Sequence, residues 1–305
     1  MKIVHIFSSV SMGFLALTAA HAQTIDPGQS LTSLKVQGWM SSEVGDAWTA
    51  GYKGAGVSIK VVDDFRSKSG LYGNLGDGHR LLRHGEWTLK EASMIAPSAT
   101  MSLQDFNSGS MVGLSRGLNV LNLSYGMFAR KGYNISQIRW SAQETSIINY
   151  ALNGKAVISK AAGNDAVAIG AANKAGNVDY LNLGLKGAQS AIFVGALNTN
   201  GTTRAPATLA YYSNTPGQDA TVQRQFLVVG VEGAKTGLYG TSFAAPVITG
   251  YSAILGSKFT NASPTQITNQ LLNTARTDTV SKYNPATHGR GEASITRALA
   301  PATIR

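Results

Sequence analysis

Five short runs of apolar residues are spaced along this chain, and longer stretches of helical periodicity separate them. The runs are VSIKVV (57–62), NVLNL (119–123), AVIS (156–159), AIFV (191–194) and FLVV (226–229). Each is too short for a buried helix and is rich in the β-branched residues that suit a pleated surface, so each reads as a buried strand. The intervening patterns read as helices. One runs from Asn134, a capping residue, to Leu152, with Ile135, Ile138 and Ile148 at helical spacing and Gly154 as its stop. Another opens on Ser263-Pro264, a cap followed by proline at the first helical position, and continues through Ile267, Leu271 and Leu272. Strands that alternate with helices in this way predict an α/β fold of three layers, a mainly parallel central sheet with helices on both faces. In such sheets functional groups gather beyond the carboxyl ends of the strands.

Composition narrows the setting. The chain has 305 residues, 43% of them hydrophobic, with 34 glycines and no cysteine, so its stability must come from a sizeable core without disulfides and thiolate zinc sites are excluded. A formal charge of +10 is spread along the sequence with no long basic run, which argues against a nucleic-acid groove. The opening MKIVHIFSSVSMGFLALTAAHAQ has an early lysine, an apolar stretch shorter than a membrane span and the small-residue pattern Ala20-His21-Ala22. Residues 1–22 therefore read as a secretory signal peptide, 23–40 as an N-terminal arm and 41–305 as one exported domain, periplasmic or secreted. No later run approaches spanning length.

Candidate chemistry lies at four places. In LYGTSFAAPVITG (238–250), Thr241 or Ser242 is expected to cap a helix that holds Pro246 in its first turn. The Ser242 hydroxyl would then sit beside unpaired backbone N–H groups and the positive end of the helix dipole, which suits a nucleophile that generates an anion. The first strand ends in VVDD, placing Asp63 and Asp64 at a carboxyl edge. Beyond the signal peptide the only histidines are His79, His84 and His288, and a serine nucleophile normally needs one of them as its base. His84 precedes a short helical segment that closes before Pro97. The strand at 156–159 leads through AAGND to Asn164, whose amide could donate to an oxyanion.

Together these segments resemble the subtilisin-like serine proteases, in the family's order Asp, His, Asn, Ser. The resemblance rests on GAGVSIKVVDD, HG followed by IAPSATM, VLNLSYG, AAGND and GTSFAAPVITG, supported by VGALNTNG, YYSN and GRGEASITRAL. It implies a subtilisin-like fold and a serine endopeptidase with Ser242 as nucleophile, His84 as proton carrier and Asp63 as orienter. It also implies an oxyanion hole that includes Asn164. Ser124, Tyr125 and Gly126, with Ala161, Ala162 and Gly163, would line the groove that pairs with a polypeptide substrate. No cofactor is implied. The family often binds calcium, but no carboxylate cluster here places one, and there is no HExxH motif for zinc.

Several features depart from the family pattern. Asp63 is followed by Asp64 and Phe65 rather than by a small residue and glycine, which leaves either aspartate open as orienter. Glu86 and Trp87 replace the expected Thr-His after His84-Gly85, which leaves His79 in contention. The interval from His84 to Pro97 is short, and only about eighteen residues separate Ala22 from the expected domain where such enzymes commonly carry a domain-sized propeptide, so the expectation is either folding without one or control by a regulatory or inhibitor protein. The competing reading is a catalytically silent subtilase fold that binds peptides or a partner protein.

Overall fold

The computed structural model describes residues 4–6 and 35–304. In chain order its strands are β1 (Val4–Ile6), β2 (Val57–Asp63), β3 (Leu71–Gly73), β4 (Arg80–Leu82), β5 (Thr100–Asp105), β6 (Leu118–Leu123), β7 (Gly126–Arg130), β8 (Val157–Ala161), β9 (Asn177–Asp179), β10 (Ala191–Leu197) and β11 (Phe226–Gly230). The helices are α1 (Ser42–Thr49), α2 (His84–Ile95), α3 (Ala142–Leu152), α4 (Tyr180–Leu185), α5 (Ala220–Arg224), α6 (Gly233–Thr236), α7 (Ala245–Lys258), α8 (Pro264–Asn273), α9 (Pro285–His288) and α10 (Ile295–Leu299).

The five strands expected from the sequence all form, and a sixth joins them. The central sheet has the order β11-β10-β8-β6-β2-β5, with every neighbouring pair parallel. Alternation along each strand divides the core. On β10, Ile192, Val194 and Ala196 join the cluster that holds α2, α7 and α8, while Ala191, Phe193 and Leu197 join the cluster under α3 and α4. These are two faces of one sheet, set by its period of two. The three-layer α/β architecture is therefore present.

Helix α7 runs through the first cluster and is buried from Ala245 to Gly256. Its Gly250 lies where a Cβ would come within 2.4 Å of Ile95 Cγ2, so the absence of a side chain lets α2 and α7 approach closely. That contact matters for the site, because His84 begins α2 and Ser242 lies just ahead of α7.

The differences from expectation are local. The region 134–152 is not one helix. Ile135–Gln137 form a single 3-10 turn, and α3 starts afresh at Ala142 with the Ser141 hydroxyl accepting from the Gln143 N–H. Ile138 contributes its apolar side chain to a separate small cluster with Val178 and Tyr180, whereas Ile148 packs against the cluster under α3 and α4, so the periodicity counted across 134–152 belongs to two different surfaces. Strand β5, TMSLQD, carries no apolar run in the sequence because it is an edge strand of mixed polarity, with Leu103 52% exposed. Residues 241–244 also differ from the expected cap. Thr241–Phe243 form a 3-10 turn and Ala244 occupies the N-cap position, so neither Thr241 nor Ser242 caps α7, although Pro246 does lie in its first turn.

Of the N-terminal arm, Trp39 and Met40 are buried in the first cluster, with Trp39 Nε1 donating to the Leu75 carbonyl. The signal-peptide reading of 1–22 lies outside the described residues except for Val4–Ile6, whose backbone pairs antiparallel with Gly126–Phe128 of β7. Among the described residues, no helix is long and apolar enough to cross a membrane.

Candidate active site

Parallel alignment puts the carboxyl ends of β2, β6 and β8 side by side, and Asp63, the 124–126 segment and the 161–164 segment lie there. Asp63 ends β2 and is fully buried. Its Oδ1 lies 2.6 Å from His84 Nδ1, and its Oδ2 accepts from Thr88 Oγ1 at 2.8 Å. The backbone N–H of Asp64 also donates to Asp63 Oδ1 at 2.6 Å. The carboxylate is thus held on both oxygens, which fixes the side of the imidazole that faces it.

The paired candidates take up different surroundings. Asp64 turns into its own loop, where Oδ1 accepts from the N–H groups of Arg66 and Ser67 at 3.2 and 2.8 Å. His79 is exposed and stacks on Tyr72 with ring centroids 5.4 Å apart. Among the described residues, Asp63 and His84 are the two of these candidates that form a carboxylate–imidazole pair. Gly85 is required beside them, since a Cβ there would come within 2.7 Å of the Asp64 carbonyl, to which the Gly85 N–H donates.

The unexpected Glu86 and Trp87 have structural work. Glu86 Oε2 accepts from the Arg83 N–H at 2.7 Å, satisfying a backbone donor at the start of α2 as in a capping box. Trp87 is fully buried, and its Nε1 donates to the Leu71 carbonyl, tying the β3–β4 hairpin to α2.

Ser242 sits in the 3-10 turn ahead of α7 and is 8% exposed. Its hydroxyl donates to the Ser124 carbonyl at 3.2 Å, while Ser124 Oγ donates to the Ser242 carbonyl at 2.9 Å. Behind them, Asn122 Nδ2 donates to Ser124 Oγ and Thr249 Oγ1 donates to Asn122 Oδ1, linking the β6 terminus to α7. The His84 ring lies 5.6 Å from the ring of Phe243, the residue after Ser242. Helix α2 therefore presents His84 beside the turn that carries the serine.

Asn164 joins the same turn from β8. Its Oδ1 accepts from the Thr241 N–H at 2.7 Å and from Thr241 Oγ1 at 2.9 Å, and Thr241 Oγ1 in turn accepts from the Gly163 N–H at 3.0 Å. With Oδ1 committed to Thr241, the amide plane is set and its NH₂ is directed to the other side. Gly240 has φ 126°, and a Cβ there would lie 3.1 Å from Asn164 Nδ2. The glycine before Thr241-Ser242 is thus needed both for its backbone angle and for the space beside the amide.

The two expected groove segments lie at the ends of neighbouring strands, Ser124, Tyr125 and Gly126 between β6 and β7, and Ala161, Ala162 and Gly163 at the end of β8. Tyr125 is buried with its hydroxyl 3.2 Å from Glu144 Oε1, and burial together with that carboxylate pushes its pKa well above the ordinary value. Asn214, in the YYSN segment, braces the second edge. Its Nδ2 donates to the Ala162 carbonyl at 3.0 Å, its N–H to the Gly163 carbonyl, and its Oδ1 accepts from Asp165 and Val167. Thr88 and the bracing role of Asn214 are not legible in the sequence, because nothing local to either residue shows what it meets across the fold. Among the described residues, no group of three or more His, Cys, Asp or Glu side chains is disposed to hold a metal ion.

The comparison with known families agrees with this architecture. The model of the subtilase family matches residues 85–292, and the chain belongs to that family. Membership supports a serine peptidase. The match begins just after His84, so Asp63 and His84 stand outside it. Similar folds occur in a lanthipeptide protease (TM-score 0.55, 17% identity, covering 86% of this chain and 93% of that one). They occur also in MycP1 from the ESX-1 type VII secretion system (0.52, 20%, 85% and 84%) and in the prenylagaramide maturation protease PagA (0.52, 17%, 84% and 98%). No curated protein sequence matches this chain closely enough to count as a relative.

Proposed function

We propose that this protein is an exported serine endopeptidase that cleaves polypeptides through an acyl-enzyme formed on Ser242. The observation that carries the reading is the 2.6 Å contact of buried Asp63 with His84 Nδ1, made beside the turn that holds Ser242. The division of labour is that of the established Ser-His-Asp triad. With Asp63 on Nδ1, the opposite nitrogen of His84 takes the Ser242 proton as Oγ bonds to the substrate carbonyl carbon. Ser242 Oγ leaves its hydrogen bond to the Ser124 carbonyl in that step. The Asn164 NH₂ and the Ser242 backbone N–H receive the negative oxygen, in a setting where losing one such donor costs about 10²–10³ in rate, a figure drawn from this same family. His84 then returns its proton to the leaving amine as the C–N bond breaks, and water repeats the sequence to release the acid.

This chemistry needs no organic cofactor or metal. The proposed substrate is an extended polypeptide lying against Ser124–Gly126 and Ala161–Gly163, whose small residues leave room for a side chain before the cut. A structural calcium and a regulatory or inhibitor protein are compatible with this reading, and neither is assigned residues. The silent-fold alternative rests on the altered neighbours of Asp63 and His84. Those neighbours are occupied in the loop, the helix start and the hairpin, and the Asp63–His84 bond coexists with them. Treatment with a fluorophosphonate, followed by peptide mapping, tests the proposal. Ser242 is expected to carry the label, and a chain that is folded yet unlabelled refutes it.

A further inference from the structure

A lysine buried at the end of a central strand is unusual, because a cation taken out of water needs a partner of good geometry. Lys160 is 1% exposed on β8, and its Nζ makes two contacts, donating to the Ala161 carbonyl at 2.6 Å and to Asp179 Oδ2 at 3.2 Å. Asp179, 7% exposed, spends its other oxygen on the far side, where Oδ1 accepts from the Met127 N–H at 2.9 Å and from the Leu181 N–H at 3.1 Å. One ion pair therefore reaches from Ala161, in one proposed groove edge, to Met127, directly after the other. It also lies close beneath that second edge, since a Cβ on Gly126 would come within 2.9 Å of Asp179 Oδ2 and within 2.5 Å of the Phe128 ring.

We propose that Lys160 and Asp179 form the floor of the groove between Ser124–Gly126 and Ala161–Gly163, where their mutual neutralisation sets which side chain is accepted before the scissile bond. The inference rests on the peptidase reading of that groove and adds a specificity role to residues outside the triad. Burial lowers the pKa of Lys160, and Asp179 beside it opposes that shift. Removing one partner would leave a single charge facing the substrate side chain, where a low-dielectric surround makes it felt strongly. The two removals have opposite signs, which a merely structural pair would not produce.

The test uses blocked tetrapeptide p-nitroanilides that differ only in the residue before the anilide, Lys, Ala or Glu. Their dissociation constants are measured on the full chain carrying Ser242→Ala, with and without Lys160→Met or Asp179→Asn. Lys160→Met is expected to raise the preference for the Lys peptide over the Ala peptide by about tenfold or more, and Asp179→Asn to do the same for the Glu peptide. The double variant should return to the parent preference. Unchanged ratios in folded variants, shifts of the same sign, or no binding of any peptide would overturn the inference. Should a single variant fail to fold, a peptide with a diazirine side chain at that position decides on the Ser242→Ala chain alone. Crosslinks to 124–128, 160–163 or Asp179 support the floor, and crosslinks confined elsewhere refute it. Fluorophosphonate labelling of the unaltered enzyme reports the peptidase reading separately, so a labelled enzyme with fixed preferences refutes the floor and leaves the triad standing.

Discussion

At the scale of single residues, the aspartate doublet shows how hydrogen-bond accounting separates two chemically identical neighbours. Asp63 is committed to His84 and Thr88, and Asp64 to the N–H groups of its own loop. Asp63→Asn is therefore expected to lower kcat by about 10³–10⁴, since an amide cannot hold the imidazole in the required tautomer, a size known from triad enzymes. Asp64→Asn keeps an oxygen for Arg66 and Ser67 and is expected to change kcat by no more than about threefold, both measured on a chromogenic peptide with folding checked by circular dichroism. From sequence alone this choice was open, because adjacency to the strand end does not say which side chain turns inward. The imidazole was open for a similar reason. His79 and His84 both follow plausible turns, and only the packing of α2 buries one of them. The nucleophile was the most legible residue, since glycine before Thr-Ser and proline in the next helical turn form a pattern with a narrow structural meaning. Lys160, Thr88 and the bracing role of Asn214 carried no comparable local signal.

Among the elements, α2 and α7 decide whether the site assembles. Their close approach at Gly250 and Ile95 fixes the distance between the first residue of one and the turn before the other. Gly250→Ala drives a methyl into Ile95 Cγ2 and Cβ and is expected to destabilise the fold by about 1–3 kcal/mol, read from denaturant midpoints. Helix α2 also contains Glu91, buried, with Oε2 unpartnered among the described residues, and burial raises its pKa well above the ordinary 4.5. The folded state then holds a proton that the unfolded state releases, so stability falls as pH rises from about 4.5 toward the raised pKa. Glu91→Gln should remove that dependence. Its denaturant midpoint is expected to exceed the parent's at pH 7 and to converge with it near pH 4, and parallel pH profiles would contradict this account. The sheet was legible because buried strands announce themselves as β-branched runs, whereas edge strand β5 and the broken 134–152 region were not. Exposure removes the alternation signal from the first, and two separate apolar surfaces mimic a single helical period in the second.

Across the whole molecule, a cysteine-free chain buries two cores on either side of a parallel sheet and places Asp63, Ser124 and Asn164 at or just beyond the carboxyl ends of its strands. Export is the part of the proposal that rests on residues 1–22. Expression with secretion should yield a chain beginning at Gln23, as read by intact mass, and an uncut N-terminus would refute the proposed cleavage. The central claim is that Asp63, His84, Asn164 and Ser242, drawn from two strand ends, one helix start and the turn before another helix, act together on one carbonyl. The most direct test is the rate of fluorophosphonate labelling at Ser242 in the parent and in His84→Ala. Labelling confined to Ser242 and slowed by at least about 10³ in His84→Ala is the predicted result. Equal labelling in both chains, or none in a folded parent, would contradict it.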